Sequence, residues 1–354
     1  MTTRVLVIGL DGATFDVIDP LMAAGRLPNL AHLRAEGMAT TLLSTYPTHS
    51  GPAWTSCRTG VNPGKHGVFS FWRREGYEFP LTTSADIRVP TVEQILSRRG
   101  RRVCSINVPV SYPPQPVNGA LISGLPTPGE DVTFTYPASL HAELRARVGE
   151  YRVDGHGQFA GLGREERIEL IFERHRLRRA AAHYLLAREP WDYFMVVFTM
   201  SDKVQHQCWH AYEARQAGDT SARTLRLAAL LERCYEELDE AVGLLLAEAG
   251  DDADVLVISD HGFGACRYQI NPNMWLRDHG YLHLYRAHKL RARQICWTAR
   301  DGGRVPLPRI EIGPPRRRIA WRRTRAFGSL YTLSHGIWLN MQGRDIQGVV
   351  APGR

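Results

Sequence analysis

VLVIGLDG at residues 5–12 returns as VLVISDHG at residues 255–262. Each is a run of four β-branched or leucine residues that turns abruptly into Asp and Gly. Apolar runs of this kind read as strands buried on both faces of a parallel sheet. Acidic residues at the carboxyl end of such strands lie where open α/β sheets place their ligands. Asp11, Asp260 and His261 are therefore expected along one rim of one sheet. Carboxylates gathered in this way repel one another unless a cation sits between them. The twin runs predict a metal site.

The rest of the chain alternates helix and strand signals. Residues 14–24 and LPNLAHLRAEG (27–37) have helical apolar spacing and end at glycine. MATTLLSTYP (38–47) reads as extended, and SGPAWTSCRTG (50–60) as a turn entering a helix with Pro52 in its first turn. TVEQILSRRG (91–100) and RRVCSINVP (101–109) make a helix–strand step. Residues 111–130 read as loop with a short strand at ALISG. Helices are expected over 138–148, 164–188 and 222–249. WDYFMVVFTMSD (191–202) reads as a buried strand ending in Asp, and HGIWLNM (335–341) as a further strand. The pattern specifies an α/β fold, a mostly parallel central sheet with helices on both faces and with loop and helical insertions. It is read as a single domain over 1–354 with a basic Arg/Pro-rich insertion at 286–325.

Composition is that of a globular protein, 44% hydrophobic and 23% charged over 354 residues. The net charge of +8 is local: thirteen Lys and Arg between Arg286 and Arg325 face only Asp301 and Glu311, so the remainder is slightly acidic. That stretch reads as a solvated excursion. Arg316, Arg317, Arg318, Arg322 and Arg323 offer contact with an anionic surface. Without interleaved aromatics or a nucleic-acid motif, specific nucleic-acid binding is not expected. Six scattered cysteines with no CxxC pair fit reduced thiols of a cytoplasmic protein. No secretory leader or stretch of roughly 20 apolar residues is evident.

Asp202 and His206 follow the buried FMVVFT run with the spacing DKVQH. On a helix, i and i+4 share a face and can grip one ion. His210, four residues further on, reads as a surface or packing histidine. Ser50 precedes a helix whose first amides favour negative charge, which suits a nucleophile as well as a helix cap. Thr48 is its neighbour and competitor. Neither GxSxG nor the phosphate-binding GxxxxGK[ST] pattern occurs. His66 in NPGKHG reads as a turn or supporting residue, and Asn107 and Tyr112 as parts of a Pro-rich loop. Trp54, Trp209 and Trp275 follow apolar helix patterning and are expected in the core.

The order Asp11, Ser50, Asp202-x3-His206, Asp260-His261 resembles the alkaline phosphatase superfamily, and most specifically its type I phosphodiesterase / nucleotide pyrophosphatase branch. PAWTSCRTGVNPGKHGVFSF (52–71), NVPVSYPPQPVNGALISGLPTPG (107–129), SDKVQHQCW (201–209), SDHGFG (259–264) and WLNMQGR (338–344) carry the resemblance along nearly the whole chain. It implies two divalent ions, zinc with manganese as the alternative, clamping a phosphoryl group. One site would use Asp11, Ser50, Asp260 and His261, and the other Asp202, His206 and one further histidine. The family nucleophile, Thr or Ser, stands ten residues before the Gly of a TG pair. Here that pair is Thr59-Gly60, which selects Ser50. The family's last histidine follows the strand that WLNMQGR resembles, whereas His335 precedes it. The resemblance thus implies either a C-terminally incomplete chain or a second metal held by two protein ligands.

The leading expectation is a metal-dependent hydrolase of phosphodiester or pyrophosphate bonds in small-molecule phosphoesters, with Ser50 as covalent nucleophile. A phosphomonoesterase, sulfatase or phosphomutase is the alternative on the same site, with Lys65 and Lys203 as candidates to meet the extra charge of a monoester. A catalytically impaired scaffold binding an anionic partner through 286–325 is the non-enzymatic alternative.

Overall fold

A computed structural model describes residues 4–129, 131–153, 159, 161–188, 190–267, 271–285, 297–298, 304–305, 319–328 and 336–353. They gather into two compact units, Met1–Phe71 with Thr82–Ala265, and Trp72–Leu81 with Cys266–Arg354.

The larger unit is built on β1 (Arg4–Leu10), β2 (Val103–Val108), β3 (Gly119–Ser123), β4 (Thr135–Tyr136), β5 (Tyr193–Phe198) and β6 (Ala253–Ile258). Their order across the sheet is β4-β3-β2-β5-β1-β6, parallel throughout except for the antiparallel β3–β4 pair. The helices are α1 (Phe15–Ala23), α2 (Pro28–Glu36), α3 (Ser50–Thr59), α4 (Pro63–His66), α5 (Val92–Arg98), α6 (Leu140–Val148), α7 (Arg164–Arg188), α8 (Met200–Gln216) and α9 (Ala222–Ala249).

Side chains alternate across a strand with period two, and that alternation sorts the core into two layers. Leu6, Ile8 and Leu10 of β1 and Phe194, Val196 and Phe198 of β5 face one side, where residues of α1, α2 and α6–α9 cover them. Val7 and Met195 face the other, against Trp54 of α3 and Val92 and Leu96 of α5. Helices therefore lie on both faces, as the sequence pattern required.

The twin runs differ in burial. β1 and β5 are central and almost wholly buried, but β6 is an edge strand with Leu256 46% exposed. The expectation that VLVISDHG is covered on both faces is corrected accordingly. The strand expected over 191–202 stops at Phe198, because α8 begins at Met200; Asp202 belongs to the first turn of that helix. Residues 38–47 pair with no strand, and Met38 and Leu43 are exposed.

In the smaller unit, α10 (Pro272–Asp278), β7 (Trp297–Thr298), β8 (Arg304–Val305), β9 (Ala326–Gly328) and β10 (Ile337–Leu339) are short. Tyr77 stacks on Trp321 at 3.9 Å, beside Phe327. Asn340, from the WLNMQGR stretch, is buried and pins two chain segments: its Nδ2 donates to the carbonyls of Trp321 and Thr324 in one turn and of Gln347 in the other. Trp275, expected in the core, is half exposed and stacks on His279. Most of the basic stretch, including Arg316, Arg317 and Arg318, lies outside the described residues, as does His335. Arg322 and Arg323 are exposed, but Ile319, Ala320, Trp321 and Thr324 beside them are buried, so this end of the stretch is core and not a solvated excursion. The described cysteines Cys57, Cys104, Cys208, Cys234 and Cys266 are free thiols. Among the described residues no helix is long and apolar enough to cross a membrane.

Candidate functional site

The parallel pairing of β1 with both β5 and β6 brings three carboxylates to one rim of the larger unit. As β1 ends, Asp11 N–H donates to Phe198 O at 3.0 Å, and Asp11 O accepts from Asp202 N at 3.0 Å and from the Ser201 hydroxyl at 2.7 Å. The chain then turns at Gly12 with φ +67°. Gly12 N–H donates to Asp260 Oδ1 at 3.0 Å, and Gln205 Nε2 donates to Gly12 O at 2.7 Å. A Cβ at Gly12 would lie 3.1 Å from Asp202 Cβ, in a backbone conformation that side chains resist. Glycine here lets the β1 turn and the start of α8 approach.

Asp11 is almost fully buried. Its Oδ2 accepts from Trp54 Nε1 at 2.9 Å, while Oδ1 lies 3.3 Å from Ser50 Oγ and 3.9 Å from His261 Nε2. Ser50 Oγ is also 3.1 Å from His261 Nε2. The His261 ring is fixed by Nδ1, 2.8 Å from Gly262 O. A carbonyl only accepts, so Nδ1 carries a proton. His261 Nε2 is also 3.3 Å from the buried Asp260 Oδ2. Asp11 Oδ1 and His261 Nε2 thus converge on the Ser50 hydroxyl, with Asp260 Oδ2 beside His261.

Among the described residues, Asp11, Asp202 and His261 form a triad whose ligand atoms all lie within 4.8 Å of one another. Sequence spacing paired Asp202 with His206 alone; the structure adds it to the Asp11 cluster. His206 Nε2 stands 3.4 Å from Asp202 Oδ1 across one turn of α8, its side chain 63% exposed.

The charge state follows from this crowding. Burial, and then the charges of Asp260 and Asp202, raise Asp11 well above the ordinary carboxylate range, against the Trp54 bond and the Lys203 charge. Burial raises Asp260 as well, despite His261 and the Gly12 amide. Burial pushes Asp202 the same way, but the His206 bond and the charges of His206, His261 and Lys203 outweigh it, so Asp202 is lowered. His206 is raised in turn, chiefly by Asp202. Two buried carboxylates and an imidazole nitrogen, with a third carboxylate in reach, form a donor set that fits a divalent cation.

Ser50 is the first residue of α3 and not its cap. His49 is the cap, its Nδ1 accepting from Gly51 N at 3.2 Å. Ser50 Oγ therefore faces the carboxylate cluster from a helix N-terminus that favours negative charge. Thr48 is exposed and bonds to Thr45 O, which removes it from the site. His66 is buried, its Nδ1 accepting from Val68 N and its Nε2 2.9 Å from Ser56 Oγ, so it supports a turn as expected. Asn107 donates to Val197 O within the sheet. Lys65 is exposed on α4.

Sequence reading missed Trp54, Gln205 and Tyr235 as parts of the site. Trp54 is indeed core, at 0% exposed, but its indole N–H also orients Asp11. Gln205 Oε1 accepts from the Tyr235 hydroxyl, which itself accepts from Thr14 N. This buried chain anchors the Gly12 turn. The available signal was spacing: Trp54 lies at i+4 from Ser50 and Gln205 at i+3 from Asp202.

Residues 5–326 match the family described as Type I phosphodiesterase / nucleotide pyrophosphatase, and the chain belongs to that family. Similar solved structures include a phosphonoacetate hydrolase from Sinorhizobium meliloti 1021 in complex with phosphonoformate, and the same protein with phosphonoacetate. Each is 20% identical with a TM-score of 0.48, over 74% of this chain and 56% of theirs. A 2-O GAG sulfatase is 13% identical with a TM-score of 0.45, over 74% of this chain and 58% of its own. The chain spans less than two thirds of the length of these structures. No curated protein matches it.

Proposed function

We propose that this chain carries the centre of a metal-dependent hydrolase of phosphodiester or pyrophosphate bonds, with Ser50 as the covalent nucleophile. The observation that carries the reading is the convergence of Asp11 and His261 on the Ser50 hydroxyl. Its Oγ lies 3.3 Å from Asp11 Oδ1 and 3.1 Å from His261 Nε2, beside the buried Asp260 Oδ2. Family membership supplies the reaction class.

Asp11, Ser50, Asp260 and His261 would hold one divalent cation and Asp202 with His206 a second, zinc ahead of manganese, supplying charge neutralisation at the phosphoryl oxygens and a lowered hydroxyl pKa. With Asp11 and His261 holding the cation, Ser50 would release its proton to solvent and attack phosphorus. The Ser50 Oγ–P bond forms as the bond to the leaving oxygen breaks. Water then attacks the phosphoserine and Ser50 takes a proton back. The first amides of α3 favour the alkoxide. Trp54 and the Gly262 carbonyl hold Asp11 and His261 in the orientation this step needs. Gly12 and Gln205 fix the turn between Asp11 and Asp202.

The test is hydrolysis of bis(p-nitrophenyl) phosphate by the metal-supplemented chain and by Ser50→Ala. Turnover is expected to fall to background in the variant while thermal melting is retained. Undiminished turnover would overturn the nucleophile assignment.

A further inference from the structure

A cleft of about 450 Å³ in the larger unit opens between the first turns of α7 and α9, lined by Arg164, Glu165, Glu166, Arg223 and Arg226. Its two acids are already committed. Glu165 pairs with Arg226 at 2.5 Å, and Glu166 Oε2 accepts from Gly163 N at 2.6 Å. Arg223 pairs with no carboxylate among the described residues. Arg164 Nη1 meets His210 Nε2 at 3.2 Å, a contact that requires a neutral imidazole as acceptor. Burial, and then the charges of Arg164 and Arg223, hold His210 below its ordinary value. Burial lowers Arg164 too, with Arg223 and Arg167 adding to it. The N-termini of two long helices contribute further positive potential. Three arginines face two carboxylates in this lining, so its balance is positive, the reverse of the carboxylate rim.

The cleft is joined to that rim by one helix. Asp202, His206 and His210 recur every four residues along one face of α8, so His210 sits roughly 12 Å along the axis from Asp202. We propose that this cleft is a subsite for an oxyanion, a phosphate or carboxylate borne on the arm of the substrate far from the scissile phosphorus. Arg164 and Arg223 donate charge-assisted hydrogen bonds to it. The word substrate rests on the hydrolase reading above; the anion site itself does not.

Two measurements test the proposal separately. The metal-stripped full chain is titrated with inorganic phosphate while the His210 ring resonances are followed by NMR. A saturable shift that disappears in Arg223→Gln is expected. A silent His210, or unchanged phosphate binding in the Arg164→Gln/Arg223→Gln double variant, would overturn the site. In the second, KM is compared for the p-nitrophenyl phosphodiester of octane-1,8-diol with and without a phosphate on its far hydroxyl, an arm of roughly 12 Å that matches the rise along α8. The phosphorylated diester should show a KM lower by about tenfold or more, and Arg223→Gln should erase the difference. If phosphate shifts His210 but the KM values coincide, the cleft takes free phosphate and the substrate-arm assignment falls. If neither diester is hydrolysed, the hydrolase reading fails and the titration alone decides the cleft.

Discussion

Replacing Trp54 by Phe tests whether the buried indole orients a metal ligand. Trp54 Nε1 donates to Asp11 Oδ2 at 2.9 Å, and neither side chain has appreciable solvent access. No water can take the lost donor's place without opening the core. Hydrogen bonds to charged groups contribute about 1.5–3 kcal/mol, and a buried acceptor left unmade forfeits that in full. The bond also opposes the burial that raises Asp11, so its loss raises the carboxyl further. A cation must then displace a more tightly held proton. Expressed as affinity, the loss is about 10- to 100-fold, and it widens as pH falls. Phe keeps most of the ring packed against Val7, Met195 and Val197, so the fold survives. The assay is calorimetric titration of the metal-stripped chain with Zn2+ and with Mn2+ at pH 6 and pH 8. A dissociation constant within twofold of wild type, at both pH values and with melting intact, would refute the link from indole to Asp11 to metal. If wild type binds neither ion, the metal reading itself falls.

A change on the opposite side of the same indole should act through packing. In Gly9→Ala the new Cβ would lie 2.5 Å from Trp54 Cη2 and 2.9 Å from Val197 Cγ2, an overpacking that costs about 1–3 kcal/mol; an unchanged thermal midpoint would show that Trp54 is free to move. His175 offers a pH test remote from the site. Burial, and then Arg178, depress it from 6.5 to about 3, so between those values the unfolded chain binds more protons than the folded one and stability falls as pH drops below 6.5. By pH 5 the loss is about 2 kcal/mol; urea unfolding at pH 7 and pH 5 should show it in wild type and not in His175→Phe, and equal losses in both would contradict it.

What the sequence made legible was what is local. β1 and β5 announce themselves because a strand covered on two faces must be apolar at every position. Asp202 and His206 could be paired because α8 puts i and i+4 on one face. Ser50 and Thr48 could not be separated from local spacing, since the choice depends on His49 capping α3 and leaving Ser50 inside the first turn. Neither could the union of Asp202 with Asp11 and His261 be read. It depends on β1 lying between β5 and β6 and on the bond from Asp202 N to Asp11 O, contacts across about 190 and 250 residues that no spacing encodes. The half exposure of β6 was hidden for the same reason: edge and centre are properties of the sheet and not of VLVI. Trp54 was read as packing because it is packing, and its second role lies in one nitrogen.

The buried charges of the larger unit separate into two kinds, and the difference locates function better than burial does. Arg58 and Glu93 are both inaccessible, yet Arg58 Nε meets Glu93 Oε1 at 2.8 Å and Ser105 Oγ joins the same oxygen. Burial would raise Glu93, but Arg58 more than offsets it, and the carboxyl is lowered. The charge of that pair is balanced within the protein, although Glu93 Oε2 accepts no hydrogen bond. Asp11 and Asp260 are buried to a similar degree with a shared deficit of counter-charge, and both are raised. Folding alone does not favour that arrangement, because apolar residues of similar volume would avoid the repulsion. A chain that keeps it gives up stability at one point, and the deficit is relieved only by something carried in from outside. The carboxylate rim calls for cations and the arginine cleft for an anion. With α8 running between them, the proposed hydrolase would take a substrate that brings a phosphoryl group to one end and a second oxyanion to the other.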